Sequence, residues 1–347
     1  MHIFSETTNR TNISILSDIP LSIEYSCGIP AIARFSDGNC CALGCIGCVN
    51  PRCMYFESTD VECEEVENFP YDQARAVCPV GALSWNAESD SPRIDTYKCI
   101  NCGICLRRCP IGAIYFDENI KVNTTISEKE IRGGVDTAAI ERQNEQIGQL
   151  GNIEKAGVPI MENEELLDRI YKKLFEVQSG SHNLIARNLL ISLGCRSAVR
   201  RIGDVYTRMD AVYSSADNSF GAVEVEFGRD TLDASRGILD DIAVLHTRYG
   251  IEKDNNSPLV VCLQLPNARQ GYWQVVKDVK NVENIYIATL TIGAMMILNW
   301  NRCLLLPDDV TYYLDYDNMN LRSTISWQIG RNIEISDKFL GILEPEK

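Results

Sequence analysis

Beyond residue 160 the apolar residues fall alternately at helical and at strand spacing. Leu166, Ile170 and Leu174, with Leu167 beside them, make one stripe and predict a helix from about 164 to 177. A second helix is expected from about His182 to Leu193, ended by Gly194. Strands follow at 203–213 and 220–227, then a long helix from Thr231 to Tyr249 with Leu232, Leu239, Ile242, Leu245 and Tyr249 on one face. A strand at 259–265, a helix at 270–279 and a strand at 285–290 complete the run. The order helix, β, β, helix, β, helix, β predicts an α/β domain around a central mixed sheet.

Before that point the pattern weakens. From Glu118 to Met161 the chain is polar, carries Gly133, Gly134, Gly148, Gly151 and Gly157, and has no aromatic residue. It reads as a linker holding at most one helix, 135–147. The expected domains are therefore 1–120, a linker at 121–160, and 161–347. A length of 347 residues suits two domains, and 45% apolar with 23% charged residues suits packed ones. The net charge of −15 argues against a generally basic nucleic-acid coat, but it leaves room for a local basic groove. Ile285–Trp300, the most apolar window, is about 16 residues and too short to span a membrane, which takes roughly 20.

Cysteine usage changes the picture. Of 15 cysteines, 11 lie between Cys40 and Cys109. Met1–Arg10 shows no basic region followed by an apolar run, so no signal peptide is expected. The chain then reads as cytoplasmic, with its cysteines reserved for metal and not for disulfides. Cys27, Cys195, Cys262 and Cys303 read as small buried hydrophobes.

Cys99, Cys102, Cys105 and Cys109-Pro110 form C-x2-C-x2-C-x3-C-P without a gap. In this spacing three thiolates hold one iron–sulfur cube and the fourth serves another. Upstream, Cys78-Pro-Val-Gly-Ala-Leu83 repeats Cys109-Pro-Ile-Gly-Ala-Ile114. Residues 40–118 resemble the bacterial two-cluster ferredoxins, closely in the second half and irregularly in the first. The assignment that fits best puts Cys99, Cys102, Cys105 and Cys78 on one [4Fe-4S] cluster and Cys45, Cys48, Cys53 and Cys109 on the other. Cys40, Cys41 and Cys63 are rivals for the irregular site, and four-cysteine zinc is the alternative filling. The 24 residues between Cys53 and Cys78 are then an inserted loop and helix.

In the second domain, Val223-Glu-Val-Glu-Phe227 alternates, so Glu224 and Glu226 share one strand face. If the strand bearing Asp210 pairs with it, three carboxylates converge. Unit charges about 4 Å apart repel by roughly 4 kcal/mol at an effective dielectric of 20, so such a site needs a cation, and Mg²⁺ suits it. Here residues 160–300 resemble the PD-(D/E)xK restriction-endonuclease-like superfamily. Asp210 matches its first acid and Glu224 its second, while Glu226 stands at the lysine position and Met209 replaces the proline. The resemblance implies Mg²⁺-dependent phosphodiester hydrolysis by Asp210, Glu224 and Glu226, and dimerisation. The plain alternative is a solvated strand face.

Between Arg187 and Arg208 five arginines (187, 196, 200, 201, 208) face one acid, Asp204. Arg196, Arg200, Arg201 and Arg208 are thus candidate contacts to nucleic acid, DNA first. Asp240, Asp241, His246 and His182 read as solvated or capping residues. Three functions stay open: an iron–sulfur Mg²⁺-dependent endonuclease; a ferredoxin-type electron carrier whose second domain docks a redox partner; and a nuclease-fold binding module without catalysis.

Overall fold

The structure is a computed structural model that describes parts of 53–124, most of 164–346, and the backbone of three short strands before residue 25. Those strands are β1 (Glu6–Thr7), β2 (Arg10–Ile13) and β3 (Leu21–Glu24), an antiparallel sheet in that order. Cys27, Cys40, Cys41, Cys45, Cys48 and Cys109, with most of the 121–160 linker and the helix expected at 135–147, lie outside the described residues. The chain divides into two compact units. One comprises 1–56 and 76–161; the other comprises 162–347 together with 57–75, which include the short helix α1 (Ser58–Val61).

In the first unit, two hairpins repeat one design. Cys78-Pro79-Val80-Gly81-Ala82 leads into β4 (Leu83–Asn86), paired with β5 (Ser91–Ile94). Helix α2 (Ile104–Arg108) precedes β6 (Ile114–Phe116), which begins where the second copy of that motif ends and pairs with β7 (Val122–Thr124). The sequence duplication is a duplication of hairpins.

The second unit is a mixed α/β fold. α3 (Glu164–Glu176) buries Leu166, Leu167, Ile170, Tyr171 and Leu174 along one stripe, with Glu164 and Glu165 complementing the partial positive charge of its first turn. α4 (His182–Ser192) leads into β8 (Arg196–Val199), β9 (Ala211–Ser214) and β10 (Phe220–Glu226). α5 (Leu232–Tyr249) stops at Gly250, whose φ of 72° needs glycine's freedom. Then come β11 (Leu259–Cys262), α6 (Gly271–Glu283), β12 (Ala288–Thr291), α7 (Ile292–Trp300) and α8 (Arg322–Ile329).

The sheet runs β12-β11-β10-β9-β8, parallel among β10, β11 and β12 and antiparallel from β10 to β8. Consecutive residues Phe220 to Val223 of β10 are all buried, so helices cover both faces of this central strand. Three differences from the periodic reading stand out. Residues expected in one strand at 203–213 form a turn and β9, and the edge strand β8 lies upstream in a polar-looking Arg-Ser-Ala-Val. The apolar block 285–300 divides into β12 and α7 at Thr291, whose Oγ1 accepts from Ala294 N at 3.0 Å and caps the helix. Last, residues 57–75 fold with the second unit and not with the cysteine-rich one.

This segment is well anchored. α1 packs against β8. Glu65 accepts from Arg196 at 2.8 Å and from Ser214 Oγ at 2.8 Å, and the buried Arg187 donates to the Ala74 carbonyl at 2.6 Å. Val61, Cys63 and Val66 are buried, and the Cys63 thiol donates to Glu65. At its ends the chain is pinned in the first unit: Tyr55 bridges Ala76, and Val77 N donates to Met54 O at 2.9 Å.

Burial pushes the Glu65 carboxyl up, but hydrogen bonds from its own backbone N–H and Ser214, with the Arg196 charge, outweigh this and hold it below its ordinary 4.5. The ionised form therefore stabilises the fold above that pH and the contribution is lost on acidification. Glu65→Ala should destabilise the second unit by about 1–2 kcal/mol at pH 7, read by urea unfolding, because it leaves the Ser214 hydroxyl without its acceptor and Arg196 with only the exposed Glu64. The gap from the parent protein should narrow as the pH falls below the ordinary carboxylate value.

Candidate metal centres

Four predicted ligands come together in the first unit. Cys78, Cys99, Cys102 and Cys105 line one cavity whose remaining wall is apolar: Val77, Val80, Leu83, Ile94, Ile100 and Ile104 among others. Local backbone geometry builds it. Asn101 and Gly103 have φ of 60° and 76°, left-handed values that curl the 99–105 loop back on itself. The curl turns N–H groups towards sulfur. Asn101 N donates to Cys99 Sγ at 3.4 Å and Ala82 N to Cys78 Sγ at 3.1 Å, and Ile104 N–H also bonds Cys102. Such N–H···S bonds stabilise sulfur-borne negative charge and raise a cluster's reduction potential.

Burial first, then the neighbouring thiolates, pushes the Cys102 and Cys105 thiols far above their ordinary value. Without iron these sulfurs keep their protons. A cluster that binds them must displace those protons and supply the compensating positive charge. Cys53, assigned to the other cluster, is buried and close enough for its charge to be felt at Cys105. Cys45, Cys48 and Cys109 of that second set are outside the described residues. Cys63 is held in the second unit by Glu65. Cys195 and Cys262 are buried there.

The second unit brings two of its three predicted acids together. β9 pairs with β10 so that Ala211 faces Val223; one step further along that register sets Asp210 across from Glu224. Asp210 is fixed on both oxygens, Oδ1 accepting from Asn183 at 2.8 Å and Oδ2 from Val225 N at 3.0 Å. Glu226 turns elsewhere: its Oε1 accepts from Gly228 N at 2.5 Å.

The third partner is Asp241, which the periodic reading places on the solvated side of α5. The buried stripe of that helix is Ala234, Ile238, Asp241, Ile242 and Leu245. A charged residue in register with that stripe was the available signal. Asp241 is 1% exposed, and the one hydrogen bond its carboxylate finds is from the protonated carboxyl of Glu224. Gly237, one turn before it, leaves room for Glu224: a Cβ there would sit 3.3 Å from Glu224 Oε1. Burial, then hydrogen bonding and repulsion from Asp241 and Asp210, pushes the Glu224 carboxyl up to about 10. With no cation the trio therefore holds a proton. Among the described residues no three His, Cys, Asp or Glu side chains are placed to hold a metal ion as they stand, so the four cysteines share a cavity and the acids a pocket without forming a ready ligand set. Two buried carboxyl groups that share a proton nevertheless suit Mg²⁺, which binds through one or two carboxylates and keeps several waters.

The arginines are largely committed within the protein. Arg196 pairs with Glu64 and Glu65, Arg200 with Asp210 at 3.9 Å, and Arg208 with Asp240 at 3.1 Å. Arg201 is exposed. His182 stacks on Phe227 at 4.1 Å between ring centres, and His246 Nδ1 lies 3.1 Å from the Ile251 carbonyl.

Two substitutions test these sites. Cys102→Ser should abolish one cluster's share of iron and visible absorbance in anaerobically purified protein. Glu224→Gln, assayed in EDTA at pH 7, should raise the thermal midpoint of the second unit by about 2–4 °C, as expected for roughly 1 kcal/mol in a body of this size. The sign follows from a folded-state value above the unfolded one: the native carboxyl's neutrality is an advantage at low pH, eroded as pH rises from about 4.5 towards 10. The benefit of glutamine should grow over that interval.

Comparison with known proteins bears on the first unit. Residues 92–115 match the 4Fe-4S binding domain family. An uncharacterized ferredoxin of Methanocaldococcus jannaschii is 29% identical over 90 residues, 24% of this chain and 56% of that protein. The chain thus spans about half the length of the curated relative it matches. No solved structure matches, and no helix among the described residues is long and apolar enough to cross a membrane. The chain carries a ferredoxin-type 4Fe-4S binding segment at residues 92–115, joined to a mixed α/β unit with a central mixed sheet.

Proposed function

We propose that this chain is a ferredoxin-type electron carrier with two [4Fe-4S] clusters, whose α/β unit engages a redox partner. The convergence of Cys78, Cys99, Cys102 and Cys105 on one cavity carries the reading. The family match over 92–115 and the ferredoxin relative support it. Cys45, Cys48, Cys53 and Cys109 supply the second cluster. N–H···S bonds at Cys78 and Cys99 point to a tuned potential, which a merely structural staple does not need. Anaerobic protein should contain about eight irons and eight sulfides, and dithionite should bleach the visible absorbance reversibly and generate an EPR signal. Redox-inert clusters over the accessible potential range would leave only a structural role.

The buried trio of Asp210, Glu224 and Asp241 favours a second reading, Mg²⁺-dependent phosphodiester hydrolysis of nucleic acid, with cytoplasmic location and dimerisation as its companions. Glu224 and Asp241 would hold the ion and Asp210 would set the charge beside them; bound Mg²⁺ lowers the pKa of its water and stabilises a leaving oxygen. Arg201, which is exposed, would then reach the nucleic-acid backbone. Plasmid DNA incubated with anaerobic protein and Mg²⁺ should be cut by the parent protein and spared by Glu224→Ala. An uncut plasmid in both cases removes this reading and leaves the electron carrier.

A further inference from the structure

A groove of about 690 Å³ lies along α8, in the range of small-molecule sites, roughly 300–1,000 Å³. One helix face supplies its wall. Ser323, Ser326 and Trp327 stand three and four residues apart, and Gly330 follows one turn on. The chain reverses at Gly330, φ 74°, and brings Arg331 back against the same space. Gly330 leaves the floor open, since an added Cβ there would meet nothing within 4 Å.

The chemistry of the wall is one-sided. In a chain of net charge −15, none of the described residues lining this groove is acidic, while two are arginines. Both guanidiniums are held in place. Arg322 donates through Nε to Glu344 at 2.7 Å and through Nη1 to the Ile333 carbonyl at 2.9 Å; Arg331 Nη2 donates to Asn301 Oδ1 at 3.1 Å. A guanidinium has five N–H donors, so the two Arg322 contacts do not exhaust it. Trp327 lies beside these cations with 79% of its surface exposed, the only tryptophan among the large exposed hydrophobics of the described residues. An exposed indole in a groove that is also lined by two guanidiniums and two hydroxyls suits a ligand that is flat and aromatic at one end and anionic at the other.

We infer that this groove binds a nucleoside phosphate, its base stacked on Trp327 and its phosphate held by Arg331 and Arg322. The same chemistry is met in a free mononucleotide and in one residue of a single strand.

The test is equilibrium dialysis of radiolabelled AMP against the full chain, with adenosine, inorganic phosphate and a 5′-phosphorylated trinucleotide as competitors. AMP should bind at micromolar to low millimolar concentration, and adenosine and phosphate should each compete at least tenfold more weakly. Trp327→Ala should weaken AMP about tenfold, in keeping with the loss of one base–aromatic stack. Because that side chain is mostly exposed, the thermal midpoint should be unchanged. Arg331→Gln should weaken AMP and flatten its salt dependence. A trinucleotide at least tenfold stronger than AMP assigns the groove to strands; equal affinity assigns it to free nucleotide. No AMP binding at millimolar concentration, or binding unaltered in a folded Trp327→Ala protein, overturns the inference.

Discussion

Between Cys53 and Cys78 the chain must satisfy two bodies at once. Its ends are pinned in the cysteine-rich unit, by the Tyr55–Ala76 bridge and the Val77–Met54 hydrogen bond. Its middle is part of the α/β unit, where Glu65 holds Arg196 and Ser214 together. A strand at a sheet edge exposes unpaired backbone groups, and proteins commonly cover such edges with a helix or loop. β8 is that edge, and α1 packs against it. Removing 57–75 would thus take from the α/β unit a packed segment and from Arg196 its counter-charges. The insertion that looks like an irregularity of the cysteine pattern is a structural part of the second unit.

Both candidate centres pose the same electrostatic problem in different ligands. In the first, burial and neighbouring sulfurs push the Cys102 and Cys105 thiols far up, so a cation must offset the charge of their thiolates. In the second, three carboxylates share a pocket that cannot hold three negative charges, and a proton on Glu224 takes the place of a cation. The sulfur set is soft and selects iron–sulfur chemistry; the oxygen set is hard and selects Mg²⁺ or a proton. Hydrogen bonds mark the difference in preparation. Backbone N–H groups already point at Cys78 and Cys99, whereas Asp241 finds its donor in the protonated carboxyl of Glu224.

How much of this was legible in the sequence depends on how local the signal is. Cys99 to Cys105 lie within one turn and a short helix, so spacing alone places them, and the repeated Cys-Pro-x-Gly-Ala motif brings in Cys78. The Asp210–Glu224 meeting needed only the pairing of sequential strands. Glu65 and Arg196 are 131 residues apart, and no periodicity links them. Strand β8 hides in four residues without alternation, and the 285–300 block is apolar on every side, so neither period emerges until Thr291 caps α7. Asp241 was misplaced because Leu232 and Leu239 border the buried stripe of α5 and shift its apparent centre by one position. The arginines show the reverse failure: a count of five against one ignores Glu64, Glu65 and Asp240, which are remote in sequence and near in space.

Residues 57–75 bear on the stability of the α/β unit through the entropy of loop closure. A segment of 19 residues, 57–75, docks as a loop closed at both ends. Closing a loop of that length costs about (3/2)RT ln n, roughly 2.6 kcal/mol, and this is already met while Cys53 and Cys78 are held in the cysteine-rich unit. Were the Tyr55–Ala76 bridge and the Val77–Met54 hydrogen bond released, part of that cost would fall on the docking of α1 and Glu65 against β8 and β9. The affected strand pair is the one that carries Asp210 at its base. Glu65 and Arg196 are thus held together partly by backbone pairing at the base of residues 57–75, which lowers the entropy their own docking must offset.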